Sequence, residues 1–189
     1  NGLPLLTRII MHPLEPLRRE ELDRAVHIIR EQMDLPPDAL FEQIRLKEPR
    51  KAAVNAFNAG SSPDITREAF AVVLDRSADE VCEVVVSLDE NTVTSREIIP
   101  GVRISFLSEE SAEFRKIICE HPDFLAALER RGISDPEQVV VEGFAVANLA
   151  EPDEKHLRHT RAHCFFREHS EDNAYARPIE GLVPVVDLN

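Results

Sequence analysis

Three runs in the first half of the chain, Glu68 to Leu74, Val81 to Leu88 and Val93 to Ile99, are short, strand-like and separated by a few turn-forming residues. Connections that brief, Asp75 to Asp79 and Asp89-Glu90-Asn91, leave no room for crossover helices, so the runs must pair as an antiparallel meander. Within the second run Cys82, Val84, Val86 and Leu88 share one face, while Glu83 and Ser87 share the other. That alternation predicts a sheet dry on one side and wet on the other. The dry side needs a cover, and residues 17 to 33 supply an amphipathic helix. Leu22, Val26, Ile29 and Met33, with Ala25 beside them, recur at three to four residues, and Glu20 and Glu21 suit the first turns. Asp34-Leu35-Pro36-Pro37 stops the helix, because each proline removes a donor and restricts its predecessor. A strand is expected near 39 to 48 and a short helical turn from Lys51 to Ala59.

The second half repeats this order. After Pro100-Gly101, Ser108 is placed to cap a helix that buries Phe114, Ile117 and Ile118. A second helix, Asp123 to Arg131, buries Phe124, Leu125 and Leu128 and ends at Gly132, which tolerates a left-handed C-cap. Ser134-x-x-Glu137 is read as the cap of one further turn, and strands follow near 139 to 147, 158 to 167 and 182 to 188. The fold class is therefore α+β, in two tandem small domains, each a helix followed by an antiparallel sheet. The boundary falls between residues 1–103 and 104–189.

Charge narrows the range of partners. With 22 basic against 35 acidic residues, a formal charge of −13, the chain is unsuited to nucleic acid or to an anionic membrane surface, since both are polyanions. The longest nearly apolar stretch, Val139 to Leu149, is interrupted by Glu142 and Asn148 and is shorter than the roughly 18 residues of a membrane span. Cys82, Cys119 and Cys164 lie far apart with no Cys-x-x-Cys spacing, so neither a disulfide framework nor a thiolate metal site is expected. Three unpaired thiols fit a reducing compartment, and the cytoplasm is the expected location.

The densest ionisable segment holds His156, His159, His163 and His169 among Lys155, Arg158, Arg161 and Arg167. Imidazole is the commonest metal ligand, but spacing argues against a site here. On a strand, His159, Arg161, His163, Phe165 and Arg167 share a face, and His159 and His163 stand about 13 Å apart, too far to share an ion. The segment reads as a solvated or interdomain basic face. Cys164, on the opposite face with Ala162 and Phe166, reads as a packing residue rather than a nucleophile. The six glycines form no phosphate-cradling pattern, and no G-x-S-x-G elbow occurs. The stretch from Asn173 to Leu182 is the most constrained in the chain: Pro178 fixes φ, Gly181 permits a positive φ, and Arg177 and Glu180 are placed to pair across a turn.

The run Asn173 to Asn189, N-A-Y-A-R-P-I-E-G-L-V-P-V-V-D-L-N, resembles the segment that closes the third domain of copper-containing primary-amine oxidases. His12-Pro13-Leu14-Glu15-Pro16-Leu17 resembles the H-P-L-D-P-L opening of that family's second domain, and Leu46-Lys47-Glu48-Pro49-x-Lys51 its L-x-E-P-x-K element. Where many members carry a D-P-W turn, this chain has Glu142-Gly143-Phe144. The resemblance implies cystatin-like domains. It also implies two residues at the rim of the amine channel of a full-length enzyme: Tyr175, and Phe144 in place of the tryptophan.

The family's chemistry resides in a C-terminal catalytic domain, which holds copper on three histidines and makes topaquinone from a tyrosine in an Asn-Tyr-Asp/Glu context. Here the single tyrosine, Tyr175, follows Ala174, and no two of the seven histidines make His-x-His. The expectation is an N-terminal fragment, truncated at the C-terminal end of its second domain, with no catalytic residues, metal ligands or cofactor of its own. Copper and topaquinone are implied for the full-length protein, which would deaminate primary amines oxidatively to aldehyde, ammonia and hydrogen peroxide. Its implied partners are its own C-terminal catalytic domain and a second copy in a homodimer, with no nucleic acid and no membrane. The alternative is a free-standing cystatin-like binding module without enzymatic activity.

Overall fold

The computed structural model describes residues 11–146 and 157–189. The chain forms two compact units, residues 1–100 and 101–189. Both combine helix with antiparallel sheet, as the hydrophobic patterning requires.

In the first unit, helix α1 (Arg19–Gln32) precedes β1 (Leu40–Leu46), α2 (Lys51–Asn58), β2 (Glu68–Asp75), β3 (Glu80–Ser87) and β4 (Thr92–Ile98). The strands pair as a meander in the order β1-β2-β3-β4, every pair antiparallel. Asp79 and Asn91 take positive φ in the two tight turns, a conformation that short polar side chains tolerate. Beyond the end of α1 Asp34 also takes positive φ, and Arg30 donates from Nη1 to the Pro36 carbonyl at 3.0 Å and from Nη2 to that of Ala39 at 3.1 Å. The core unites Ala25, Ile28 and Ile29 of α1 with Ala69, Ala71 and Val73 of β2 and Cys82, Val84 and Val86 of β3. Gln32 pins the helix end to the β3–β4 turn, donating to the Asn91 carbonyl and accepting from the Val93 N–H at 2.8 Å.

Two expectations for this unit are corrected. The buried stripe of α1 includes Ile28, while Leu22, Val26 and Met33 are only half-buried. Ser87 is 1% exposed rather than solvated, and its hydroxyl is satisfied by accepting the N–H of Glu90 at 3.1 Å within the turn. The outer face of this sheet also retains Val72 and Val85, both buried, and the Arg45 guanidinium lies over the Phe70 ring.

The second unit begins with a single 3-10 turn (Ser108–Glu110), followed by α3 (Ser111–Glu120), α4 (Pro122–Glu129), a second 3-10 turn (Pro136–Gln138), β5 (Val139–Ala145), β6 (His159–Phe166) and β7 (Val185–Asp187). The sheet order is β5-β6-β7, antiparallel throughout. Phe114, Ile118, Phe124, Leu128 and Ile133 pack with Val139, Ala162, Cys164 and Leu188. Gly132 takes φ +77° at the end of the helical region, as its position predicts.

The caps and stripes differ in detail. Ser108 opens the 3-10 turn and makes no side-chain cap, and the Glu110 carboxylate instead accepts the Leu107 N–H at 3.0 Å. Asp135, not Ser134, caps the second 3-10 turn, accepting the Glu137 N–H at 2.9 Å. Ile117 and Leu125 are exposed, while Ala127 is buried. Periodicity places a stripe to within about one residue of rotation, and what packs against the helix selects the rest. No helix among the described residues is long and apolar enough to cross a membrane.

Candidate functional site

The pleat of β6 divides its side chains sharply. Thr160, Ala162 and Cys164 are buried, while Arg161 and His163 are exposed and Phe165 and Arg167 lie at intermediate depth. The register with β5 sets Glu142 opposite His163, Phe144 opposite Arg161 and Val140 opposite Phe165, all on this outer face. On the other flank Val185 lies opposite Arg161.

Tyr175 reaches the same face from the segment after β6. That segment turns back alongside the strand: Phe166 N–H donates to the Arg177 carbonyl and Ile179 N–H to the Cys164 carbonyl, each at 2.8 Å. Asn173 shapes the approach, its Oδ1 accepting the Tyr175 N–H at 3.0 Å. The Tyr175 ring meets Phe165 edge to face, with centroids 5.2 Å apart, and its hydroxyl donates to Glu142 Oε1 at 3.0 Å. Accepting that bond, and adding its own negative charge, the Glu142 carboxylate raises the Tyr175 phenol above the ordinary tyrosine range. Phe144 packs against the His163 ring at 4.8 Å. Among the described residues Tyr175, Val183, Phe144 and Val185, at 57, 55, 53 and 52%, are more exposed than the other large apolar side chains left at the surface, and Tyr175, Phe144 and Val185 lie on this face.

Both site residues singled out in the sequence, Tyr175 and Phe144, thus lie on one face, linked through Glu142, which takes the phenol hydrogen bond and is two residues from Phe144 on β5. Sequence reasoning alone does not assign Glu142 and Phe165 to the site, although alternation with Phe144 and His163 carries the signal that places them there. The expected Arg177–Glu180 pair does not form. Arg177 pairs with Asp172 at 2.9 Å and Glu168 at 3.6 Å, and it holds the Asp172 carboxyl below the usual carboxylate range. The Glu180 and Gly181 carbonyls accept from Arg131 Nη2, with Gly181 at φ +66°.

Of the histidine segment, His156 lies outside the described residues, while His159 and His163 sit apart on β6 and His169 lies on the loop beyond it. Among the described residues no three His, Cys, Asp or Glu side chains converge on a point that could hold a metal ion. Tyr175, in an Ala-Tyr-Ala context with its hydroxyl held by a carboxylate, has no such cluster beside it. The described residues do not fit a copper-quinone centre.

The described residues thus form two α+β units, with an exposed aromatic face on the second. Residues 12–99 match the N2 domain of copper amine oxidases and residues 109–189 the N3 domain. A primary amine oxidase of Arthrobacter sp. (strain P1) is 34% identical over 181 residues, covering 95% of this chain and 27% of that protein. A peroxisomal copper-containing diamine oxidase of Nicotiana tabacum is 28% identical over 224 residues, covering 99% of this chain and 28% of that protein. The crystal structure of a copper-containing benzylamine oxidase from Hansenula polymorpha shares the fold, with a TM-score of 0.75 at 20% identity over 93% of this chain and 28% of that one. The chain belongs to the copper amine oxidase family, as its N2 and N3 domains. It spans about a quarter of the length of these relatives.

Proposed function

We propose that this chain is the non-catalytic accessory region of a full-length primary-amine oxidase and that its second domain flanks the route by which amines reach the catalytic domain. The observation that carries this reading is the exposure of Tyr175, Phe144 and Val185 on one outer face. Apolar rings left at the surface of a folded unit mark a ligand passage or an interface. Tyrosine suits a half-wet passage, offering an apolar face to the amine's carbon skeleton and a hydroxyl to water. In this reading Tyr175 and Phe144 are rim residues, the domain boundary falls between residues 103 and 104, and the partner is the protein's own C-terminal catalytic domain. Copper and topaquinone are held there. The full-length protein works as a homodimer and converts primary amines to aldehyde, ammonia and hydrogen peroxide. A cytoplasmic location is supported by three free thiols, while the tobacco relative's name places that protein in the peroxisome.

The test is made in the full-length enzyme. A rim residue touches substrate on entry but not the reacting carbon. Tyr175→Ala and Phe144→Ala should therefore change kcat/KM by different factors for bulky and small amines, while leaving kcat for a small amine nearly unchanged. Loss of melting temperature with the same kinetic factor for every amine would remove the residue from the passage.

A further inference from the structure

We propose that Glu142, Tyr175 and Phe165 form a subsite for the ammonium head of a primary amine, with the carbon chain lying toward Phe144. The inference rests on reading this face as the amine approach and adds to it a defined carboxylate and an orientation.

The chemistry follows from the ligand. Primary alkylamines carry their proton near neutral pH, as the lysine side chain does, so what arrives at the protein is a cation with an apolar tail. A cation of this type is recognised by a carboxylate beside the face of an aromatic ring. Glu142 and Tyr175 supply that pair, with Phe165 fixing the Tyr175 ring from one side.

Only one carboxylate oxygen, Oε1, takes the phenol hydrogen bond. No Lys, Arg or His among the described residues forms an ion pair with Glu142, so its second oxygen is available to an ammonium group. Strand β5 is the outer strand of its sheet, with β6 on one side only, so the carboxylate is not enclosed between two neighbouring strands. Tyr175 is 57% exposed, which leaves ring surface open to a cation.

Orientation comes from the other charges on the face. His163 stands opposite Glu142, and Arg161 stands opposite Phe144, one pair further along the outer face. The Arg161 guanidinium repels an ammonium group at the Phe144 end but not a hydrocarbon tail, so the head belongs at Glu142 and the tail over Phe144. The formal charge of −13 on the chain adds a long-range attraction for cations.

A site-specific probe is built into the sequence, because Tyr175 is the single tyrosine and there is no tryptophan. Titrating this chain at constant ionic strength with n-butylammonium chloride should give a saturable change in tyrosine emission, which equal concentrations of 1-butanol or sodium chloride do not reproduce. Glu142→Gln keeps an oxygen to accept the Tyr175 hydroxyl and removes the charge. It should raise the half-saturation concentration by about threefold to fivefold, the size expected of an exposed ion pair. Glu142→Asp, which keeps the charge, should lie between the two, and thermal melting checks that all three forms are folded.

A response linear in concentration, one matched by sodium chloride, or one with the same half-saturation in folded Glu142→Gln would overturn the subsite. The rim reading is decided separately, by the dependence of Tyr175→Ala kinetics on amine size in the full-length enzyme. Saturable, Glu142-dependent binding with size-independent kinetics sustains the subsite and removes the rim role. Size-dependent kinetics without such binding does the reverse.

Discussion

Glu110 and Arg158 form a buried ion pair in the second unit, each side chain only 3% exposed. Glu110 also accepts the Leu107 N–H, while Arg158 donates from Nη1 to the Leu188 carbonyl at 3.1 Å and from its backbone N–H to Asp187 Oδ1 at 2.9 Å. The pair therefore ties the 3-10 turn that leads into α3 to the last strand. Removing either side chain takes a charge-assisted bond from a charge buried out of water, so Arg158→Met or Glu110→Leu alone should cost about 3–5 kcal/mol. The Arg158 Nε is buried without a partner, so the charged pair is incompletely satisfied even when intact. The double variant Glu110→Leu/Arg158→Met should accordingly lose less than either single one. Urea denaturation of the four forms checks the ordering.

Glu21 and Arg67 make the corresponding link in the first unit. Arg67 donates from Nε to Glu21 Oε1 at 3.0 Å and from Nη2 to Oε2 at 3.1 Å, and its guanidinium also reaches the Glu15 and Pro16 carbonyls. The Arg67 hydrogen bonds hold the Glu21 carboxyl below its ordinary range against the opposing effect of burial. A depressed native pKa means the stabilisation is fully present above the unfolded-chain value, about 4.3, and is lost as pH falls through the native value. The melting temperature should fall less steeply below pH 4 in Glu21→Gln than in the parent chain. Arg67→Ala should cost about 1–3 kcal/mol at pH 7. Calorimetry between pH 3 and 7 measures both; a parent and a Glu21→Gln curve of equal slope would contradict the assignment.

Burial pushes the Cys164 thiol up to about 11 and also raises that of Cys119, which is less deeply placed. The thiolate is the reactive form, so native Cys164 should resist iodoacetamide at pH 7.5. Cys82, 1% exposed, should resist it as well, while Cys119 labels slowly. In strong denaturant all three should react. Mass spectrometry of tryptic peptides reads the pattern, and rapid native labelling of Cys164 would refute its packing role.

Gly143 lies on β5 between Glu142 and Phe144, and a Cβ there would stand 2.6 Å from Phe106 Cε1 and 2.9 Å from its Cζ. Phe106 is packed in turn on Phe114, with ring centroids 5.1 Å apart, so it has little room to retreat. Gly143→Ala should destabilise the second unit by about 1–3 kcal/mol through overpacking. Adding it to Phe106→Ala should cost less than adding it to the parent chain, because the obstructing ring is gone. A thermodynamic cycle of the four forms gives the coupling.

The sequence by itself determined the order and kind of the elements. Strand alternation and helical stripes are local periodicities, and tight turns declare themselves through Asp79, Asn91 and Gly132, which take positive φ. The same alternation on β6 separates the outward His163 and Arg161 from the inward Ala162 and Cys164. The resemblance of residues 173 to 189 named the family. Only the tertiary structure decided which polar groups find each other. Glu110 and Arg158 are 48 positions apart, and Glu142 and Tyr175 are 33 apart. Arg177 prefers Asp172 and Glu168 to the Glu180 that sequence spacing offered it. Ile28 and Ala127 went inside while Ile117 and Leu125 stayed out. Periodicity specifies a direction around a helix or strand, whereas burial and pairing depend on which surface arrives there, and that surface comes from residues distant in the chain.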